Sequence, residues 1–106
     1  MPIIVPKVFV NQSEVDAAVE RAAAALADIV VRIRYDFGSD WTGDPSIFFR
    51  VTLTDEVVNE PKLGKIANAI ELAVIREVKP QEYGWNWYFN FRSASEQAEL
   101  KDPAWA

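Results

Sequence analysis

The 106-residue chain contains no cysteine and no histidine. The first absence excludes disulfides, thiol nucleophiles and thiolate metal ligands. The second removes the commonest general base and the commonest metal ligand, so any chemistry would fall to carboxylates, lysines, tyrosines and hydroxyls. Ser39, Ser46, Ser93 and Ser95 therefore have no imidazole to activate them, and no Gly-x-Ser-x-Gly elbow is present. Only four glycines occur, and Gly38 and Gly43 are not followed by the Lys-Ser/Thr of a phosphate loop. No window approaches the ~20 apolar residues of a membrane span, and the opening Met-Pro-Ile-Ile-Val-Pro-Lys lacks a charged leader, so a cytoplasmic address and no membrane partner are expected. Neither a catalytic residue nor a cofactor is expected.

What is present reads as an ordinary globular domain over 1–106. Half of the residues are apolar and a quarter are charged, and a chain of this length buries roughly two thirds of its unfolded surface, enough for a core without staples. The net charge of −5 opposes non-specific attraction to nucleic acid.

Tyr83–Arg92, Tyr-Gly-Trp-Asn-Trp-Tyr-Phe-Asn-Phe-Arg, is the densest aromatic stretch. In a strand Trp85, Trp87, Phe89 and Phe91 share one face and Asn86, Tyr88, Asn90 and Arg92 the other. The ring face needs cover, so helices should pack there. Upstream, residues 2–10 carry Pro2 and Pro6 and read as an extended arm. Asn11 with Glu14 forms a capping box and Val10 with Val15 a staple, so a helix should start there and run to about Asp28 on a stripe of Val15, Val19, Ala22, Ala23 and Leu26. From Ile29 the period is two, with Ile29, Val31, Ile33, Tyr35 and Phe37 inward and Val30, Arg32, Arg34 and Asp36 outward. A loop over Gly38–Pro45 leads to a strand over Ser46–Thr54, with Ile47, Phe49, Val51 and Leu53 inward.

Pro61 suits the first turn of a second helix, whose stripe Leu63, Ile66, Ala67, Ile70, Val74 and Val78 ends at Lys79-Pro80. Ser93 and Glu96 fit a capping box for a short C-terminal helix, and Trp105 implies that the tail docks on the body. The expected fold is α+β: a two-layer αββαβ sandwich with a three-stranded antiparallel sheet of order 2-1-3 and two helices on one face.

That arrangement leaves the other face open. It gathers Arg32, Arg34, Arg50 and Arg92 against Asp36, with Phe48 and Tyr88 among them, a local excess of positive charge on an acidic chain. An open sheet with rings and guanidinium groups suits single-stranded RNA, with bases on the rings and arginines on phosphates, but the net charge disfavours nucleic acid. A protein partner or a homodimer fits better. The candidate partner-binding residues are Arg32, Arg34, Arg50, Tyr88 and Arg92, joined by Trp41 at the hairpin tip. Asp40 and Asp44 flank Trp41 as an acidic pair. Their spacing departs from that of a calcium loop, so they read as turn formers and no metal is expected. The competing reading is a nucleotide-binding protein or small enzyme built on Arg50, Arg92, Asp40 and Asp44.

Two stretches, Asp40-Trp-Thr-Gly-Asp-Pro-Ser-Ile-Phe-Phe-Arg50 and Tyr88-Phe-Asn-Phe-Arg-Ser-Ala-Ser-Glu-Gln97, followed by Leu100-Lys-Asp-Pro-Ala-Trp-Ala, resemble a family of small bacterial proteins of about this length that has no established activity. The resemblance spans nearly the whole chain. It implies an interaction module, antitoxin-like in pairing with a small all-helical protein.

Overall fold

A computed structural model describes residues 12–106. The expected arm over residues 2–10, the Asn11 cap and the Val10 half of the staple lie outside the described residues. Within them the order is α1 (Gln12–Ala25), β1 (Val30–Ser39), β2 (Pro45–Leu53), a single-turn α2 (Asp55–Val58), α3 (Leu63–Val78), a 3-10 turn (Pro80–Tyr83), β3 (Asn86–Ser93), α4 (Ala94–Leu100) and a last 3-10 turn (Pro103–Trp105). The class is α+β, as the alternating and helical periods imply.

The sheet departs from the expected order. Its sequence is β1-β2-β3, with β1 and β2 antiparallel and β2 and β3 parallel. The direction of β3 follows from the helical return after β2; its place does not. The expected 2-1-3 order put β1 in the centre, yet β2 is the strand fit for burial, because Ile47, Phe49, Val51 and Leu53 on one face and Ser46 and Thr52 on the other are all buried. The strand with the most burial takes the centre of a sheet, and β2 is the most apolar and most buried of the three. β1 carries Arg32, Arg34 and Asp36, together with a register shift between Val30 and Arg32, and charges and bulges belong on edges. The same bulge inverts the first turn of the strand: Val30 is buried and Val31 is exposed, the reverse of the simple alternation.

The two long helices lie on the expected face. Val15, Val19 and Ala22 of α1 and Ile70, Val74 and Val78 of α3 join Ile33, Ile47, Phe49, Val51, Leu53 and Trp85 in one core. α1 ends at Ala25, earlier than the stripe suggested. Among the described residues it is tied to β1 through Tyr35, whose hydroxyl donates to the Asp16 carboxylate and accepts from Gln12 Nε2 at 2.9 Å. α3 ends where Lys79 adopts a left-handed conformation (φ 55°) and returns its N–H to the Ile75 carbonyl; Pro80 cannot continue the helix.

Register places Trp87, Phe89 and Phe91 opposite Ile47, Phe49 and Val51 on the core face. Phe89 stacks on Phe49 with centroids 4.6 Å apart. Cover is incomplete, however, because among the described residues β3 is an edge: Trp85 is buried, Phe89 and Phe91 are half-buried and Trp87 is 37% exposed.

After β3 the chain turns back. Ser93 caps α4 by accepting from Glu96 N–H at 3.1 Å. Ser95 donates its backbone N–H to Asp55 at 3.0 Å and its hydroxyl to the other oxygen of the same carboxylate, so α4 is moored to α2. Lys101 at φ 53° then reverses the chain and carries Trp105 onto the outer face of the sheet, where it is buried.

Candidate functional site

Cross-strand register confirms that Arg32, Arg34, Asp36, Phe48, Arg50, Tyr88, Asn90 and Arg92 share the face away from the helices. The face is not uniformly open. Its lower half is roofed by the tail. The Arg92 guanidinium lies 4.2 Å from the centroid of the Trp105 ring, donates to Gln97 Oε1 at 2.9 Å and approaches Asp102 to 3.5 Å. Arg34 donates to the Ala106 backbone oxygen at 2.8 Å. Thr52, between these arginines, is buried, and its hydroxyl has no hydrogen-bond partner among the described residues. Arg34 and Arg92 therefore serve the chain itself, and the charge excess expected across the face is largely spent there.

Among the described residues nothing covers the upper half, which is aromatic. Trp41, 82% exposed, leans on Tyr88 with centroids 5.4 Å apart, and Tyr88 stacks on Phe48 at 5.5 Å and 20°. Phe48 lies over Gly38, where a Cβ would stand in ordinary contact with the ring at 3.4 Å. Below this ladder Arg50 pairs with Asp36 at 2.7 Å.

Asp40 builds the ladder from behind. The β1–β2 loop is closed by Asp40 N–H to the Asp44 carbonyl at 3.0 Å and Gly43 N–H to the Asp40 carbonyl at 2.9 Å, with Gly43 at φ 89°, where an L side chain would be strained. One carboxylate oxygen accepts from the Thr42 backbone (2.9 Å), the Thr42 hydroxyl (2.6 Å) and the Asp44 backbone (3.1 Å). The other accepts from Asn86 (3.1 Å) and from the Tyr88 hydroxyl (2.8 Å) on β3. A carboxylate with five donors is both a turn former and a cross-link. It fixes Trp41 at the hairpin tip and Tyr88 on the far strand in one frame.

The electrostatics follow from those bonds. The Thr42 side chain, then Tyr88, Asn86 and the Thr42 backbone hold the Asp40 carboxyl well below the usual carboxylate range, against partial burial, which pushes the other way. The same carboxylate keeps the Tyr88 phenol protonated above its ordinary range.

Of the residues singled out from sequence, Trp41, Tyr88 and Arg50 come together on the uncovered half, Arg92 lies under the tail, Arg34 stays exposed while binding the Ala106 oxygen, and Arg32 lies opposite Thr52 on the same face. Asp40 is saturated by donors, which removes it as a base or metal ligand. Asp44 contributes backbone bonds to the loop and lies exposed. Among the described residues no group of three or more carboxylates is placed to hold a metal. The parts that sequence reading missed are Thr42 and Asn86. An Asp two residues before a Thr in a Gly-containing loop is an Asx-turn signature and signals the first; nothing in sequence pairs Asn86 with a loop 46 positions away.

Comparison of the chain with protein-family models, curated proteins and solved structures finds no match. Among the described residues no helix is long and apolar enough to cross a membrane.

Proposed function

We propose that the chain is a non-catalytic interaction module that holds a segment of another protein against the aromatic half of its outer sheet face. One observation carries this reading: an indole left 82% exposed at a hairpin tip, yet held in a ring ladder by a five-donor carboxylate. Fixed aromatic surface with a polar rim is the ordinary composition of a binding hot spot. Arg50, Asp36, Asn86 and Asn90 supply that rim. The competing enzyme reading loses ground because Asp40 and Arg92, two of its four residues, are engaged internally. The resemblance to small bacterial proteins makes a small all-helical protein the first partner to try.

The test is capture from native lysate with the wild type, Trp41→Ala and Arg50→Glu, each checked by circular dichroism. Loss of the same partner from both folded variants supports the reading, and undiminished recovery by both removes it. Binding of short single-stranded RNA, lost in Trp41→Ala, would transfer the surface to nucleic acid.

A further inference from the structure

The two edges of the sheet are treated differently by this sequence. β1 is blunted by its bulge, by alternating charges, by the Tyr35 tie to α1 and by the tail bond to Arg34. β3 shares only the tail contact, made at its end through Arg92: Asn86–Ser93 contains no proline, no lysine and no register shift, and among the described residues no strand pairs with its outer side. An aromatic edge without such protection is a template for strand addition.

Beside it are a knob and a hole. The knob is Trp87, 37% exposed on the core face of β3. The hole is a mostly apolar groove of about 330 Å³ between α3 and the end of β3, lined by Leu53, Val58, Leu63, Ala67 and Phe91 with Arg92 and Glu96 among its polar residues. Both lie along one strand, four positions apart, which is the condition for a reciprocal contact across a two-fold axis.

We propose that β3 pairs antiparallel with β3 of a second copy about a two-fold axis at Phe89. Residues directly opposite in an antiparallel pair share a face, so this register sets Trp87 against Phe91 of the second copy, twice, and Phe89 against itself. Each indole then enters the groove beside the other copy's Phe91. On the outer face Tyr88 meets Asn90, and Asn86 meets Arg92. No like charges oppose, although each chain carries −5, because Arg92 is the one charged residue of the strand. The product is a continuous six-stranded sheet that carries two ring ladders.

Light scattering and sedimentation of the purified full chain test this. The wild type should show twice the 12.0 kDa chain mass at high loading and shift toward it on dilution. Trp87→Gln should halve the mass by removing the knob. Gly64, on α3, also lines the groove, and Gly64→Gln fills it instead: a Cβ there meets nothing within 4 Å in its own chain, and a helical glycine replaced by a better helix former keeps the fold intact. It should also be monomeric, with an unchanged circular dichroism spectrum. A wild type that is monomeric at every loading, or a dimer that persists in either folded variant, overturns the proposal.

Discussion

Removing the Trp105 ring is the sharpest single perturbation of this fold. The side chain is 6% exposed, pressed on the outer face, with the Arg92 guanidinium 4.2 Å from its ring centroid. A buried tryptophan covers about 150–250 Å², which at about 25 cal/mol per Å² is worth about 4–6 kcal/mol before the cost of ordering the tail. The cation–π contact adds about 0.5–2 kcal/mol, nearer the upper end because the Arg92 side chain is only 19% accessible. Large-to-small data for aromatic residues give about 3–5 kcal/mol for the net loss, a large share of the ~5–15 kcal/mol that holds such a domain. The loss cannot exceed the docking energy of the tail itself, so Trp105→Ala and truncation after Leu100 should fall close together. Urea unfolding followed by far-ultraviolet circular dichroism measures both without relying on the deleted fluorophore. A loss below about 1 kcal/mol for Trp105→Ala, or a truncation several kcal/mol worse than the point variant, would refute the reasoning.

Other expectations concern buried and titrating groups. Thr52→Val removes a hydroxyl without a partner among the described residues and keeps the β-branched shape, so stability should hold or rise by up to about 1 kcal/mol; a clear loss would mean that the hydroxyl is satisfied. Because Asp40 has a depressed carboxyl pKa in the fold, its contribution is complete above the unfolded value of about 3.9 and is lost as pH falls below it. The urea midpoints of wild type and Asp40→Asn should therefore differ at neutral pH and converge on acidification, whereas a gap independent of pH contradicts the charge-based account. All three tyrosines, Tyr35, Tyr83 and Tyr88, are pushed above the ordinary phenol value, Tyr35 and Tyr83 chiefly by burial and Tyr88 by Asp40. Ultraviolet titration should show the phenols of the folded chain ionising at higher pH than free tyrosine, and a tyrosine ionising at or below the free value in the folded chain would be decisive against it. Trp41→Ala should leave the melting temperature within about 2–4 degrees, since an 82% exposed ring adds little burial; a drop well beyond that range would make Trp41 structural.

Period-two and helical patterns were enough to place the core. Ile33, Phe49, Ile70, Val74 and the outward set from Arg34 to Arg92 all sit on the faces their spacing implies, and Ser93 caps α4 as Ser-x-x-Glu suggests. Trp105 at the end of the chain likewise announced a docked tail. Strand order was not legible, because both 1-2-3 and 2-1-3 satisfy the same alternations; the deciding property is that β2 is fully buried on its core face and buried at Ser46 and Thr52 on the other, while β1 carries charge and a bulge. The candidate surface was half legible. Alternation alone makes the arginines one patch, because it cannot reveal that Arg34 and Arg92 are partners for Ala106 and Trp105. The Asp40 cross-link escaped for a similar reason: a carboxylate in a Gly-Pro loop reports a turn, but its second oxygen serves residues distant in sequence.

The central strand pairs on one side with a hairpin neighbour and on the other with residues 40 positions later, Ser46 against Asn86. At the usual synthesis rate of about 5–20 residues per second, that side of β2 waits about 2–8 s for its partner while the rest of the chain emerges. Phe49 and its apolar neighbours are open to misassociation throughout that interval, so expression yield should respond to translation speed between positions 54 and 93 more than to substitutions elsewhere.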